Sequence, residues 1–312
     1  DQKVTPDVMC MIADCVLNFI ETKNDENIKF SSTDIWKHEY SNTNIKEIFG
    51  KTDVSNKKAK NEYDKFFQQP MELLSYSGLL LKQKQGNQNL YTVQNIELLE
   101  YIKDMPGNLT STTAGISGVT NYVLPLKSED GKKDAAVLYV FDSNAYSSLK
   151  QVKGYDWIRP DQINWYVESS VGYTERNGGK PLPSLAFFHI PFPEYNEAAQ
   201  DENALLIGTR KEKACAPLIN TGLYAAMLNA GDIMATFVGH DHVNDYVVDW
   251  KGILLCYGRF TGGNTVYHDI PGGNGARVIE LTQGVRSFKT WERLEGGKII
   301  NEVNYPSDFQ RE

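Results

Sequence analysis

From residue 96 onward, short apolar runs alternate with clusters of Gly, Pro, Asn and Asp, and longer stretches with helical spacing lie between them. That alternation predicts strands connected by helices. VTNYVLPL and AAVLYVFDSN read as strands, DQINWYVESSVGYT as an amphipathic helix, and SLAFFHIPF as a buried strand running into a Pro-rich turn. NTGLYAAMLNAG predicts a helix stopped by Gly231, and IMATFVGHDHV a strand that ends in polar residues. GILLCYGRF and ARVIELT supply two more strands, so the expected architecture is layered α/β.

The front of the chain has a different texture. Residues 20–95 are rich in Lys, Asn and Gln, and the first arginine is Arg159. Residues 32–40 carry Ser and Thr capping signals ahead of Ile35 and Trp36, which predicts a short helix, and Asn44 to Phe49 predicts another. Between Ser55 and Tyr76 the stripe Tyr63, Phe66, Phe67, Met71, Leu73 and Leu74 predicts a helix kinked at Pro70. GLLLKQKQGNQNLYTV then reads as a hairpin about Gln85-Gly86-Asn87-Gln88. Helices followed by a hairpin is the order of a winged helix. NEYDKFFQQPMELLSYSGLL and GNQNLYTVQNIELLEYI resemble the winged-helix segments at the front of some restriction endonucleases. A small helical packing module accounts for the same pattern.

Composition narrows the function classes. The 312 residues are 41% hydrophobic and 23% charged, enough for a sizeable core, and no apolar run approaches the roughly 18 residues of a membrane-spanning helix. Thirty-two Lys plus Arg against 40 Asp plus Glu give a formal charge of -8, which disfavours nucleic acid as a partner. Residues 1–105 hold 13 Lys against 16 acidic residues, and Lys57, Lys58 and Lys60 are their one basic cluster. Cys10, Cys15, Cys215 and Cys256 show no CxxC spacing and read as buried free thiols. The start at Asp1, without Met or a signal sequence, reads as a processed or trimmed chain, and Asn108-Leu109-Thr110 is a glycosylation sequon.

The chemistry lies in the histidines. Three of the five close apolar strands: His189 follows Leu185-Ala186-Phe187-Phe188, and His240 and His242 follow Ala235-Thr236-Phe237-Val238-Gly239. Ligands of α/β sheets bind beyond the carboxyl ends of strands, and imidazole is the commonest side-chain ligand of a transition metal. Gly239 is expected to turn the backbone so that His240 and His242 converge on a metal.

FFHIPFPEYNEA, NTGLYAAMLNAGDIMATFVGHDH and GHDHVNDY resemble the carboxy-terminal half of the calcineurin-like metallophosphoesterases, especially the branch related to purple acid phosphatases. ELLEYIKDMPGNL, GISGVTNYVLPL, LYVFDSN, KGYDWIRPDQINWY and ILLCYGRFTGG extend the resemblance over residues 96–312. It implies a β-sandwich flanked by helices, a phosphate ester substrate, and one or two sites for a divalent or trivalent ion of iron, manganese or zinc. It also implies that His189 and His240 share one metal while His242 binds the other. In that chemistry two cations about 3.5–4 Å apart clamp the phosphate and activate a bridging water.

The sequence departs from the family in its front part. The DxH, early GD and GNHD motifs that supply the remaining ligands and an acid-donating His are absent before residue 96, and His38 sits in a helix-like KHEY context. TPDVMCMIADCV resembles the family strand that carries the bridging carboxylate, which would make Asp14 a metal ligand, but the same residues fit a buried amphipathic helix. The expected layout is a remnant first strand in 1–19, a winged-helix-like segment in 20–95, and the phosphoesterase part in 96–312. Asn244 and Asp245 are candidates to orient a ligand His, with loop capping as the alternative. Arg259 is a candidate for a substrate phosphate, and Glu194 and Tyr195 for the cleft rim. His268 lies in a Gly-rich loop without an assigned partner.

Overall fold

The computed structural model describes residues 80–85, 88–93, 99, 102–147, 149, 151–262 and 267–310. The chain divides into two compact units, Asp1–Thr110 and Ser111–Glu312. In the first, β1 (Leu80–Gln85) pairs antiparallel with β2 (Gln88–Val93), in register from Leu80 opposite Val93 to Gln85 opposite Gln88. This is the expected hairpin. The helices expected over residues 32–76, and Asp14 with its strand, lie outside the described residues. No helix among the described residues is long and apolar enough to cross a membrane.

The second unit is a mixed α/β structure of three layers. Its strands are β3 (Tyr122–Lys127), β4 (Asp134–Val140), β5 (Ser184–Phe187), β6 (Leu206–Ile207), β7 (Ile233–Val238), β8 (Val247–Trp250), β9 (Ile253–Tyr257), β10 (Gly275–Leu281), β11 (Phe288–Leu294) and β12 (Ile299–Tyr305). Seven form one sheet in the order β3-β4-β5-β7-β9-β8-β6, in which β4, β5, β7 and β9 run parallel. Parallel strands need crossovers and are covered on both faces, so they read as continuous apolar runs; all six residues of β7 are buried.

Strand alternation sorts the two faces. Ala186, Leu255 and Tyr257 face the helical layer with Tyr166, Leu223 and Met227, whereas Leu185, Leu254 and Cys256 face Phe288 and Val303 of the second sheet, β10-β11-β12. β8, β11 and β12 were not among the strands expected from the sequence. In FKTWERL burial alternates through Phe288, Thr290, Glu292 and Leu294, but residue type does not follow it, since Glu292 sits on the covered face, and in IINEVNY Val303 alone is buried.

The helices are α1 (Pro160–Arg176), α2 (Glu194–Gln200) and α3 (Leu223–Ala230). Pro160 and Asp161 favour the start of α1, and Gln162 Oε1 accepts the Arg159 N–H at 2.8 Å. Its buried stripe is Gln162, Tyr166 and Ser170, four residues apart, and each polar group on it has a partner. Gln162 donates to Asn121 Oδ1 at 2.7 Å and to the Asp142 carbonyl at 2.6 Å. Tyr166 Oη and Ser170 Oγ donate to the buried Asp232 carboxylate at 2.5 and 2.9 Å. α3 stops where Gly231 takes φ of 70°, as its sequence predicts.

A buried charge cluster joins the loop after β7 to the C-terminal sheet. Arg259 Nη1 lies 2.5 Å from Asp245 Oδ2, both side chains wholly buried, and Arg259 also donates to the Gly273 and Pro271 carbonyls. Arg277 donates to the carbonyls of Tyr257 (2.7 Å) and Asp245 (2.6 Å). Its Nη2 comes within 2.6 Å of Glu292 Oε1 without the alignment of a hydrogen bond, so neither Glu292 oxygen has a hydrogen-bond partner. Burial, with Asp245 adding to it, outweighs the two arginines and pushes the Glu292 carboxyl up to about 7.

Two outcomes follow. Arg259→Met strands the Asp245 carboxylate in the interior and should cost about 3–5 kcal/mol in urea unfolding. For Glu292 the folded state holds its proton more tightly than the unfolded state. Its contribution to stability is therefore present below about pH 4.5 and is lost as pH rises toward 7. Glu292→Gln should flatten that fall, so the variant gains on the parent in melting temperature between pH 5 and 7.5; a pH-independent difference would contradict the assignment.

Candidate metal centre

The site begins with strand register. β5 and β7 run parallel with Phe187 opposite Phe237, so their carboxyl ends finish side by side, and the Gly239 N–H donates to the His189 carbonyl at 3.1 Å. Phe188 anchors the end of β5 in the core against Phe141 and Phe192. The next residue, His189, leaves the sheet at its carboxyl edge.

The turn that was expected at Gly239 is taken by His240, whose φ is +75°. A side chain with positive φ carries strain of order 1 kcal/mol or more, a cost that clusters at functional sites. Gly239 serves through its size: a Cβ there would lie 3.2 Å from His189 Nδ1. His240 Nδ1 then lies 3.3 Å from His189 Nε2, with the rings at 86°.

His242 is held differently. Its Nδ1 is 3.0 Å from the Tyr267 carbonyl, which can only accept, so Nδ1 is the donor. The ring is sandwiched between Tyr267 at 4.7 Å and Phe260 at 4.9 Å. The structure thus brings His189 and His240 together and engages His242 with the neighbouring loop.

Between the two loop histidines sits Asp241, which the sequence reading passed over. It is buried, accepts Tyr257 Oη at 2.6 Å and the Cys215 N–H at 3.1 Å, and so ties the loop to the core and to the chain before α3. An acidic residue inside GHDH was the available signal. Burial lowers the His240 pKa, opposed by Asp241; at His189 burial acts first, then His240 and His242, in the same direction. His189 lies at the exposed carboxyl edge of the sheet. Both rings are biased toward the neutral form that binds metal.

The remaining candidates fall elsewhere. Asn244 and Asp245 do not orient a histidine. Asn244 Oδ1 accepts the N–H groups of Lys211 and Glu212 at 3.0 and 3.2 Å, and Asp245 accepts that of Thr209 at 2.5 Å, which is the loop-capping alternative. Arg259 is spent on Asp245 and on carbonyls in the interior, so its fork does not face a substrate. Tyr195, expected at the rim, is a core residue with no exposed surface whose hydroxyl is 2.8 Å from Thr236 Oγ1. Glu194 is nearly buried, its Oε1 accepts Asn220 Nδ2 at 2.8 Å, and burial raises its carboxyl pKa. These five stand beside motif residues in sequence, yet all are buried and engaged with distant parts of the chain. His268 stacks on Phe260 at 5.1 Å.

A metal fits this site in part. Two nitrogens bound tetrahedrally at about 2.0–2.1 Å from one ion stand about 3.3 Å apart. His189 Nε2 and His240 Nδ1 have that separation. Among the described residues no group of three or more His, Cys, Asp or Glu is arranged to hold a metal, so the pair alone does not complete a site.

No protein-family model matches the chain. Over 226 residues, 64% of its length, it is 33% identical to the Arabidopsis thaliana protein named probable inactive purple acid phosphatase 29. It is 29% identical over 227 residues to probable inactive purple acid phosphatase 14 of the same plant. Phosphatase DCR2 of Saccharomyces cerevisiae is 34% identical over 194 residues, 57% of this chain and 32% of its own. The chain spans 57% and 55% of the two plant proteins. Together with the mixed α/β fold, these similarities support a relationship to the purple-acid-phosphatase branch of the phosphoesterases.

Proposed function

We propose that residues 96–312 are the carboxy-terminal part of a calcineurin-like phosphoesterase, acting on phosphate esters, whose hydrolysis is impaired. The observation that carries this reading is the pair of neutral-biased imidazoles 3.3 Å apart at the ends of two adjacent parallel strands. His189 and His240 hold one iron, manganese or zinc ion, and without the front motifs the second position that His242 would serve does not retain an ion; Asp14 is the candidate carboxylate ligand from the front of the chain. When bound, such ions polarise the phosphate and activate a water. The protein's own part is to keep the imidazoles neutral, to fix His240 through its strained backbone, and to hold the loop down through Asp241. The impairment rests on the missing front motifs, and two similar plant proteins bear the word inactive in their names.

A degenerate phosphatase scaffold without catalysis, its front segment binding DNA or a protein partner, is the second reading, and the same absence of motifs favours it. Metal analysis of the purified chain should find at most one ion per molecule, lost in His240→Asn, a substitution that tolerates the left-handed backbone. Asp14→Asn should weaken metal binding by removing a charged ligand; unchanged affinity would remove Asp14 from the site. On an activated aryl phosphate with added manganese, iron or zinc, turnover should fall about 10²–10⁴-fold below that of an intact phosphatase, the usual cost of losing a general acid. Robust metal-dependent hydrolysis abolished by His240→Asn would overturn the impairment; no metal and no turnover would leave the scaffold.

A further inference from the structure

A concave site lies in the same unit, at the opposite end of the parallel strands from the histidine pair. It is a cleft of about 590 Å³ between the β3–β4 turn and the end of α1, within the size range of small-molecule pockets. Four cations line it, Lys127, Lys132, Lys133 and Arg176, against one carboxylate, Asp134. That surplus of three positive charges sits in a chain whose net charge is -8. β4 starts at Asp134, and Val140 near its end lies opposite Phe187, two residues before His189. At about 3.3 Å per residue the cleft is therefore about 20 Å from the histidine pair.

The cations are only partly compensated. Lys127 is 2.6 Å from Asp134, and Lys132 is 3.8 Å from Asp130, an open surface pair. Among the described residues Lys133 and Arg176 make no ion pair. The Arg176 guanidinium lies 4.2 Å over the Tyr173 ring, a cation–π contact that restrains it before any ligand arrives. A held guanidinium fork with ammonium groups around it suits phosphate oxygens, the fork binding two at once and the lysines acting as point charges. The end of α1 opposes an anion through its dipole. That opposition is muted, because the N–H groups of Asn177, Gly178 and Gly179 already cap the Tyr173, Thr174 and Glu175 carbonyls. A concave site with a surplus of one sign of charge also focuses the field on its ligand.

We propose that this cleft binds a small, multiply charged phosphate anion, independently of the histidine pair. The test is calorimetric titration of the full chain with sodium tripolyphosphate at 50 and 250 mM NaCl. One anion should bind per chain, and more weakly at the higher salt. Lys133→Glu with Arg176→Glu should weaken binding at least tenfold with an unchanged melting temperature, and Arg176→Lys several-fold, while His240→Asn binds like the parent. If the double variant fails to fold, Lys132→Gln with Lys133→Gln on the exposed turn carries the same expectation. No saturable binding at 50 mM NaCl, full retention in the charge variants, or loss in His240→Asn would each overturn the proposal. Binding to phosphoinositide vesicles without binding to tripolyphosphate would overturn it as well, by assigning the charge to a lipid surface.

Discussion

The parallel pairing of β5 with β7 is the constraint from which the site follows. Two strands that run the same way in register must end at the same edge, so the residues just beyond them meet without either loop having to reach. The backbone bond from Gly239 to His189 closes that edge, and the absent side chain of Gly239 leaves room for the His189 ring. What sits at the edge is then decided by two short sequences, and both place an imidazole there.

Holding the second of those loops takes more than the strand that leads into it. Asp241 reaches back to Tyr257 in β9, Asn244 gathers the chain around Lys211 and Glu212, and Asp245 receives Arg259. Each contact buries a charged or polar group, and each is satisfied from a different part of the chain, so the loop cannot shift without opening several of them at once. Buried ion pairs of this kind are weak sources of net stability, yet losing one partner strands the other charge in the interior. The polar residues following the histidines thus serve shape more than chemistry.

That division explains what the sequence disclosed. The apolar runs of β5, β7 and β9 and the stripe of α1 were legible because burial on both faces, or along one stripe, leaves a periodic mark. The histidines were legible because a titratable group after such a run has few structural reasons to be there. β11 and β12 were not, since their residue types do not follow their buried faces: Thr290 and Glu292 are covered in β11, and only Val303 is buried in β12. The inward aim of Arg259, Glu194 and Tyr195 was hidden because orientation depends on where the chain lies in its helical or strand phase, and on partners more than ten residues away. Strain at His240 was equally hidden, as positive φ is usually announced by Gly.

The ends of the seven-stranded sheet have their own consequence. At one end β3 contains Pro125, which has no N–H to offer a further strand, and at the other β6 is only two residues long. A foreign strand that tried to extend the sheet would find too few donors and acceptors in a row to form a ladder. The sheet is finite by construction, and protection from edge-to-edge aggregation is written into its two outermost strands.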